Sequence, residues 1–114
     1  MRLLFWGTPA YAVPTLSALH KAGHSIVGVV TQPDRRRGRG KQLVLSPVRN
    51  RAEELGLPVF TPSRIRHDTD CQTQLAELKP DASIVVAFGQ ILPMEVLQQP
   101  PLGCWNGHGS LLPR

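Results

Sequence analysis

The sequence of 114 residues, of which 41% are hydrophobic and 18% charged, suffices for one globular domain with one core and excludes a disordered or fibrous chain. No apolar run approaches the roughly 18 residues that span a bilayer, and Gly7-Thr8-Pro9 interrupts the short apolar start, so we expect a cytoplasmic protein without a signal peptide. The net charge of +5 is concentrated between Asp34 and Arg51, where seven basic residues stand against one acidic residue, so a polyanionic partner can approach from one side.

The first third of the chain alternates between strand and helix. Arg2–Gly7 is a short apolar run that stops at a glycine, which predicts a buried strand. Thr8-Pro9 then supplies a plausible helix N-cap and first helical position, and apolar side chains follow at spacings of three and four until Gly23 ends the helix. Ser25–Thr31 is apolar on both faces, which is typical of a central parallel strand.

The stretch from Gln32 to Pro47 has no periodicity and is rich in Gly, Arg and Pro. A loop of this length inside a compact domain is more often functional than a spacer. Its arginines suit phosphate through their bidentate geometry, and Gly38 and Gly40 let the backbone shape itself around a partner. The residues alone leave two readings equally open, a solvated charged loop and a phosphate-binding loop.

The remaining elements continue the alternation. Helices are predicted over Val48–Leu55, Thr73–Leu78 and Pro93–Gln98, and strands over Pro58–Thr61, Ala82–Phe88 and Cys104–His108. The order predicts an α/β, Rossmann-like fold, a mainly parallel sheet with helices on both faces. Ligands bind beyond the carboxyl ends of such strands, so four segments that follow predicted strands are candidates for a ligand site. They are Gly7-Thr8-Pro9, the Gln32–Ser46 loop, Phe88–Leu92 and Asn106–Ser110.

Asn106, His108 and Ser110 alternate along the last predicted strand, so their side chains are expected on one face. An amide and an imidazole two residues apart can act on one small carbonyl: the amide donates to the oxygen, and the imidazole handles the proton of an attacking amine. On spacing alone the signal is weak, because an Asn and a His that merely cap a strand end have the same spacing. The residues alone leave both readings open.

Other chemistry is disfavoured. Gly38-Arg39-Gly40 has Leu43 where the third glycine of a dinucleotide fingerprint belongs, and Gly40-Lys41 is followed by Gln rather than Ser or Thr. Cys71 and Cys104 fit no paired-thiolate metal motif and are expected to be reduced thiols. Structural roles are assigned to His20, His24 and His67.

Three parts of the chain resemble the methionyl-tRNA formyltransferases. The first part comprises Gly7-Thr8-Pro9, Thr31-Gln32-Pro33-Asp34, Gly38-Arg39-Gly40-Lys41 and Ser46-Pro47-Val48. The second, Val86–Pro93, resembles their folate-side loop. The third, Asn106-x-His108-Gly109-Ser110-Leu111-Leu112-Pro113-Arg114, resembles the signature of the wider folate-dependent formyltransferases. The resemblance covers essentially the whole chain.

The resemblance implies transfer of a formyl group from 10-formyltetrahydrofolate, a co-substrate, to the amino group of initiator methionyl-tRNA. Asn106 would stabilise the oxyanion and His108 would assist proton movement, as two members of a catalytic Asn/His/Asp set. The positions expected to line the formyl-folate site are Phe88, Gly89, Gln90, Ile91, Leu92, Pro93, Ser110, Leu111, Leu112 and Pro113. Those expected against the tRNA acceptor stem are Arg35, Arg36, Arg37, Arg39 and Lys41. The resemblance implies no metal.

The sequence departs from the family pattern in two ways. The chain stops at Arg114, before the family's catalytic Asp, the last strands of its fold and its C-terminal tRNA-binding domain. Residues 1–114 are therefore expected to be a partial catalytic domain, inactive alone and marginally stable. Gly107 stands where relatives usually carry an apolar β-former, which is expected to leave one side of the sheet unfilled. The alternatives are a glycinamide ribonucleotide or sugar-nucleotide formyltransferase, and a non-catalytic RNA-binding fragment.

Overall fold

Residues 1–37, 42–107 and 112 are described by a computed structural model, with the backbone alone at positions 36, 37 and 42. In chain order its strands and helices are β1 Arg2–Gly7, α1 Val13–Lys21, β2 Ser25–Val30, β3 Arg35–Arg37, β4 Gln42–Val44, α2 Pro47–Glu54, β5 Val59–Phe60, α3 Thr69–Glu77, β6 Ala82–Val86, α4 Met94–Gln98 and β7 Cys104–Asn106. Two single 3-10 turns lie at Ala10–Ala12 and Ile65–His67.

Five of these strands form one parallel sheet in the order β5-β2-β1-β6-β7. The register places Gly7 of β1 opposite Val86 of β6, and Val85 opposite Asn106 of β7. Parallel strands end at the same edge, so the segments after β1, β2, β6 and β7 meet there. The predicted α/β architecture with a mainly parallel sheet is confirmed.

Helices pack on both faces of this sheet, because successive side chains of β1 point to opposite sides. Leu3 and Phe5 join a core cluster that includes residues of α1 and α2, whereas Leu4 and Trp6 join one that includes residues of α3 and α4. Phe5 and Trp6 are fully buried, and each large apolar side chain contributes about 1.5–3 kcal/mol on burial. The central strand thus supplies both cores.

Two helix starts differ from the predictions by more than one residue. Thr8 does not cap the first helix: a 3-10 turn follows Pro9, and α1 begins only at Val13 with a proline in its first turn. Helix α3 begins at Thr69, four residues before the predicted Thr73, because the Asp68 carboxylate accepts a hydrogen bond from the Cys71 N–H at 2.9 Å. That Asp is an N-cap that the apolar spacing alone does not reveal.

The segment from Gln32 to Pro47, expected to be without regular structure, contains an antiparallel pair of strands. Arg35 of β3 lies opposite Val44 of β4. Three consecutive arginines give no apolar alternation by which a strand can be recognised. Ser46 then caps α2, since its hydroxyl accepts from the Arg49 N–H at 3.0 Å.

Strand β7 ends earlier than predicted, at Asn106 rather than His108. Gly107 lies in a turn, and its N–H donates to the Val85 carbonyl at 2.9 Å. Asn106 is thus the last strand residue described, and His108 and Ser110, expected on the same face, lie outside the described residues. Beyond this point Leu112 is described, and its N–H donates to the Cys104 carbonyl at 2.8 Å.

Candidate functional site

Thr8, directly after β1, joins three of the loops at the carboxyl edge. Its hydroxyl donates to the Phe88 carbonyl at 2.9 Å and accepts from the Gln32 N–H at 3.2 Å. One side chain thereby uses both its donor and an acceptor position on neighbouring loops. The nominated segments after β1, β2 and β6 are thus physically connected.

Gln90 extends this connection to the segment after β5. Its amide nitrogen donates to Gln32 Oε1 and to the Pro62 carbonyl, each at 2.8 Å, while its oxygen accepts from the Ile65 N–H at 2.8 Å. Both amide protons are therefore used within the protein. The Gln90 side chain therefore holds the loop after β6 against the segment after β5.

The residues predicted for formyl-folate fall into two groups. Phe88 is 2% exposed and meets the Trp6 ring edge-on at a centroid distance of 5.2 Å, and Leu92 packs against the same cluster. Gly89, Gln90 and Ile91 instead line a cavity of about 410 Å³, together with Gln32, Ser63, Arg64 and Arg66. Pro93 precedes α4 at its N-cap position. The first group shapes the loop from the core.

Of the four C-terminal positions predicted to line the formyl-folate site, the structure describes only Leu112. Ser110, Leu111 and Pro113 lie outside the described residues. Leu112 is half-buried, and its backbone is bonded to β7.

A larger cleft of about 570 Å³ lies on the other side of Gln32. It is lined by Thr8, Pro9, Ala10, Gln32, Pro33, Arg35, Val44, Leu45, Ser46, Pro47 and Asn50. Thr8–Pro9 and the loop to Ser46 were nominated from the sequence, whereas Asn50 of α2 was not. The apolar periodicity gives no information about Asn50, because this residue lies beside the cleft only once α2 has packed against the sheet. Gln32 borders both this cleft and the smaller cavity.

Part of the positive charge between Asp34 and Arg51 is neutralised by ion pairs within the protein. Arg49 Nη1 lies 2.7 Å from Asp34 Oδ2, and Arg49 Nε lies 3.1 Å from Glu53 Oε2. The hydrogen bond to Glu53 is the largest of the effects that raise the pKa of the Arg49 guanidinium above its ordinary value. Arg51 lies 3.5 Å from Glu54. Among the basic side chains of this segment that the structure describes, those of Arg49 and Arg51 thus have acidic partners.

The residues predicted for tRNA centre on the β3–β4 hairpin. Arg35 is exposed and lines the larger cleft. Arg36 and Arg37 belong to β3, where only their backbone is described. Arg39 and Lys41 lie outside the described residues.

Asn106 is the final residue of β7, half-buried and opposite Val85. Cys104 Sγ donates to the Val96 carbonyl at 3.7 Å, whereas Trp105 packs against the core cluster on the other face. The alternation of a strand places Asn106 on the face of Cys104. His108, its predicted partner, lies outside the described residues.

Cys71 and Cys104 are buried and reduced. Burial raises the pKa of Cys71 to about 11 and also raises that of Cys104, so both thiols stay protonated near neutral pH. Across residues 1–37 and 42–107 no three His, Cys, Asp or Glu side chains meet in a metal-binding group. Within the same ranges no helix has the length and apolar character to cross a membrane.

The family model described as "Formyl transferase" matches residues 1–114. The methionyl-tRNA formyltransferase of Synechococcus sp. (strain CC9605) is 81% identical over 114 residues, 100% of this chain and 34% of that relative. That of Prochlorococcus marinus (strain MIT 9313) is 67% identical over 112 residues, 98% of this chain and 33% of that relative. The chain thus spans about a third of the length of these curated relatives.

A solved structure, that of phosphoribosylglycinamide formyltransferase from Bacillus halodurans, matches with a TM-score of 0.67 at 13% identity. The match covers 93% of this chain and 55% of that one, and it supports the fold. The resemblance carried by the three sequence segments is confirmed by the family model and the relatives. The chain belongs to the formyl transferase family.

Proposed function

We propose that this chain forms the amino-terminal part of the catalytic domain of an enzyme that transfers a formyl group from 10-formyltetrahydrofolate to the amino group of methionyl initiator tRNA. The observation that carries the proposal is 67–81% identity, over nearly all of the chain, to relatives named methionyl-tRNA formyltransferase. The glycinamide ribonucleotide alternative has weaker support, because the solved structure of that name shares the fold at only 13% identity.

In the proposed reaction, the methionine amine attacks the formyl carbon, a new C–N bond forms, and the bond from that carbon to N10 of the folate breaks. The Asn106 amide donates to the formyl oxygen as it gains negative charge, which is where a positioned donor lowers the barrier most. His108 takes the proton released by the amine, and tetrahydrofolate leaves with a proton on N10. The end of β7 suits this role, since Asn106 ends a strand at the edge where ligands bind.

We assign the formyl-folate to the loop after β6 and to the segment of Ser110, Leu111, Leu112 and Pro113. The cavity beside Gly89, Gln90 and Ile91 supports the first part of this assignment. Since the Gln90 amide is engaged within the protein, the backbone of Gly89 and Ile91 would supply the hydrogen bonds. Phe88, Leu92 and Pro93 would act by shaping that backbone.

We assign the acceptor stem of the tRNA to Arg35, Arg36, Arg37, Arg39 and Lys41. The position of Arg35 on the rim of the larger cleft supports this, because the stem's phosphates and its aminoacyl end would then approach from the same side. Because the relatives are about three times as long, the family's Asp and its C-terminal tRNA-binding domain would come from sequence outside residues 1–114. A cytoplasmic location follows from the proposed substrate, and we expect no metal to take part.

Substrate choice tests the proposal. The assay would use a completed enzyme, defined as this chain followed by the part of the Synechococcus sp. (strain CC9605) relative beyond the matched region. Labelled formyl-folate would be offered with methionyl initiator tRNA and glycinamide ribonucleotide together. The proposal expects label on the tRNA. Label on the ribonucleotide alone would contradict it.

A further inference from the structure

Gly107 and Val86 fit tightly against each other beside Asn106. A Cβ placed on Gly107 would lie 2.7 Å from Val86 Cγ2 and 3.5 Å from Val86 Cγ1. Carbon atoms in favourable contact are about 3.5–4.0 Å apart, so the shorter distance is strongly repulsive. The side of the sheet that seemed unfilled at Gly107 is therefore filled by Val86, and the expectation of a gap there is wrong.

Val86 has little freedom to move away. It is 9% exposed and packs in the core cluster between the sheet and helices α1 and α2. Its β-branched side chain is restricted at χ1. Its backbone is also closely packed, since a Cβ on Gly7 of β1 would lie 2.8 Å from the Val86 carbonyl oxygen. A side chain at position 107 would therefore displace residue 107 rather than Val86.

We infer that the Val86–Gly107 contact positions Asn106 by fixing the path of the chain immediately after it. Gly107 is bonded to Asn106 on one side and leads to His108 on the other, and its N–H donates to the Val85 carbonyl at 2.9 Å. Relief of the overlap needs a shift of roughly 1 Å, and a misplacement of that size at a reacting group can cost about 100-fold in rate. Gly107 and Val86 are positioning residues, and the inference rests on the proposed function.

Kinetics of the completed enzyme test this inference. G107A is expected to lower kcat at least about tenfold while KM for each substrate changes by less than about twofold, because binding surfaces are kept and reacting groups are misplaced. In the V86A background, which removes both Cγ atoms, the same G107A change should lower kcat by less than about threefold. V86T keeps the branched shape and is the matched control, so no rescue is expected in that background.

The inference is overturned if G107A leaves kcat unchanged, or if its effect is equally large in the V86A background. If G107A alone does not fold, kcat of V86A/G107A is compared with kcat of V86A, because V86A leaves space for a Cβ at position 107. A tenfold or larger loss in that comparison overturns the inference. If the unsubstituted completed enzyme transfers no formyl group, the proposed function fails instead. The NMR signals of the Asn106 side-chain amide then test the positioning alone: a shift in G107A that V86A reverses supports it, and unshifted signals contradict it.

Discussion

At the scale of single residues, the candidate site depends on side chains whose partners are far away in sequence. Gln90 binds Gln32, Pro62 and Ile65, and Thr8 binds Phe88 and Gln32. The sequence motifs assign Thr8 and Gln90 to segments that follow strands, and both residues do follow strands, β1 and β6, at the carboxyl edge of the sheet. The motifs could not reveal that the Gln90 amide is engaged within the protein, because those contacts exist only once the strands are ordered in space.

The buried thiol of Cys71 gives a prediction about pH. Its pKa is raised by burial from 9.0 to about 11, so the folded chain keeps this proton where the unfolded chain loses it. The free energy of unfolding should therefore fall as the pH rises from about 9 toward 11, and Cys71 adds nothing to this slope below that range. Urea titrations of the chain and of C71A across this range check the effect. Identical slopes in the two proteins would contradict it.

At the scale of elements, strands were the easier part to predict. β1 was predicted exactly over Arg2–Gly7, and Ala82–Phe88 contains β6, because buried parallel strands are continuous apolar runs. The hairpin of β3 and β4 was missed, since its residues carry no alternating pattern and its pairing is set by the fold. The end of β7 was placed two residues too late, because no apolar pattern signals the turn at Gly107.

The side-chain hydrogen bonds of Gln90 predict how much the contact between the loop after β6 and the segment after β5 contributes to stability. Replacing Gln90 with Ala removes three hydrogen bonds, so Q90A should lower the free energy of unfolding by about 1–3 kcal/mol. The measurement is chemical denaturation followed by circular dichroism. Gln98 on α4 is exposed, and Q98A serves as the matched control with a change within about 0.5 kcal/mol. Equal midpoints for Q90A and Q98A would contradict the structural role.

At the scale of the whole molecule, the sheet gathers the segments after β1, β2 and β6 at one edge, and Arg35 lines the cleft there. The sequence alone predicted this clustering from the alternation of strand and helix. It could not show that Arg49 and Arg51 are paired with acidic residues, since Asp34 becomes a neighbour of Arg49 only through the fold. Arg35, by contrast, is exposed and lines the larger cleft.

This distribution predicts a salt-dependent interaction with tRNA. In the completed enzyme, R35Q should weaken binding of methionyl initiator tRNA and reduce the slope of log K against log salt by about one, the amount expected for one lost phosphate contact. Lys21 is exposed at the end of α1, away from the hairpin, and K21Q is the matched control. Filter-binding or fluorescence titrations at several salt concentrations give both slopes. A slope for R35Q equal to that of K21Q would remove Arg35 from the tRNA contacts.

The most direct measurement is single-turnover formyl transfer to methionyl initiator tRNA by the completed enzyme and by its N106A/H108A variant. Removal of a positioned oxyanion donor costs about 100- to 1000-fold in rate, and loss of the general base adds to this, so the variant should be slower by at least about 100-fold. Its free energy of unfolding and its affinity for the tRNA should stay close to those of the unsubstituted enzyme. Formyl transfer at an unchanged rate in the variant would contradict the catalytic assignment and favour a chain that only binds RNA.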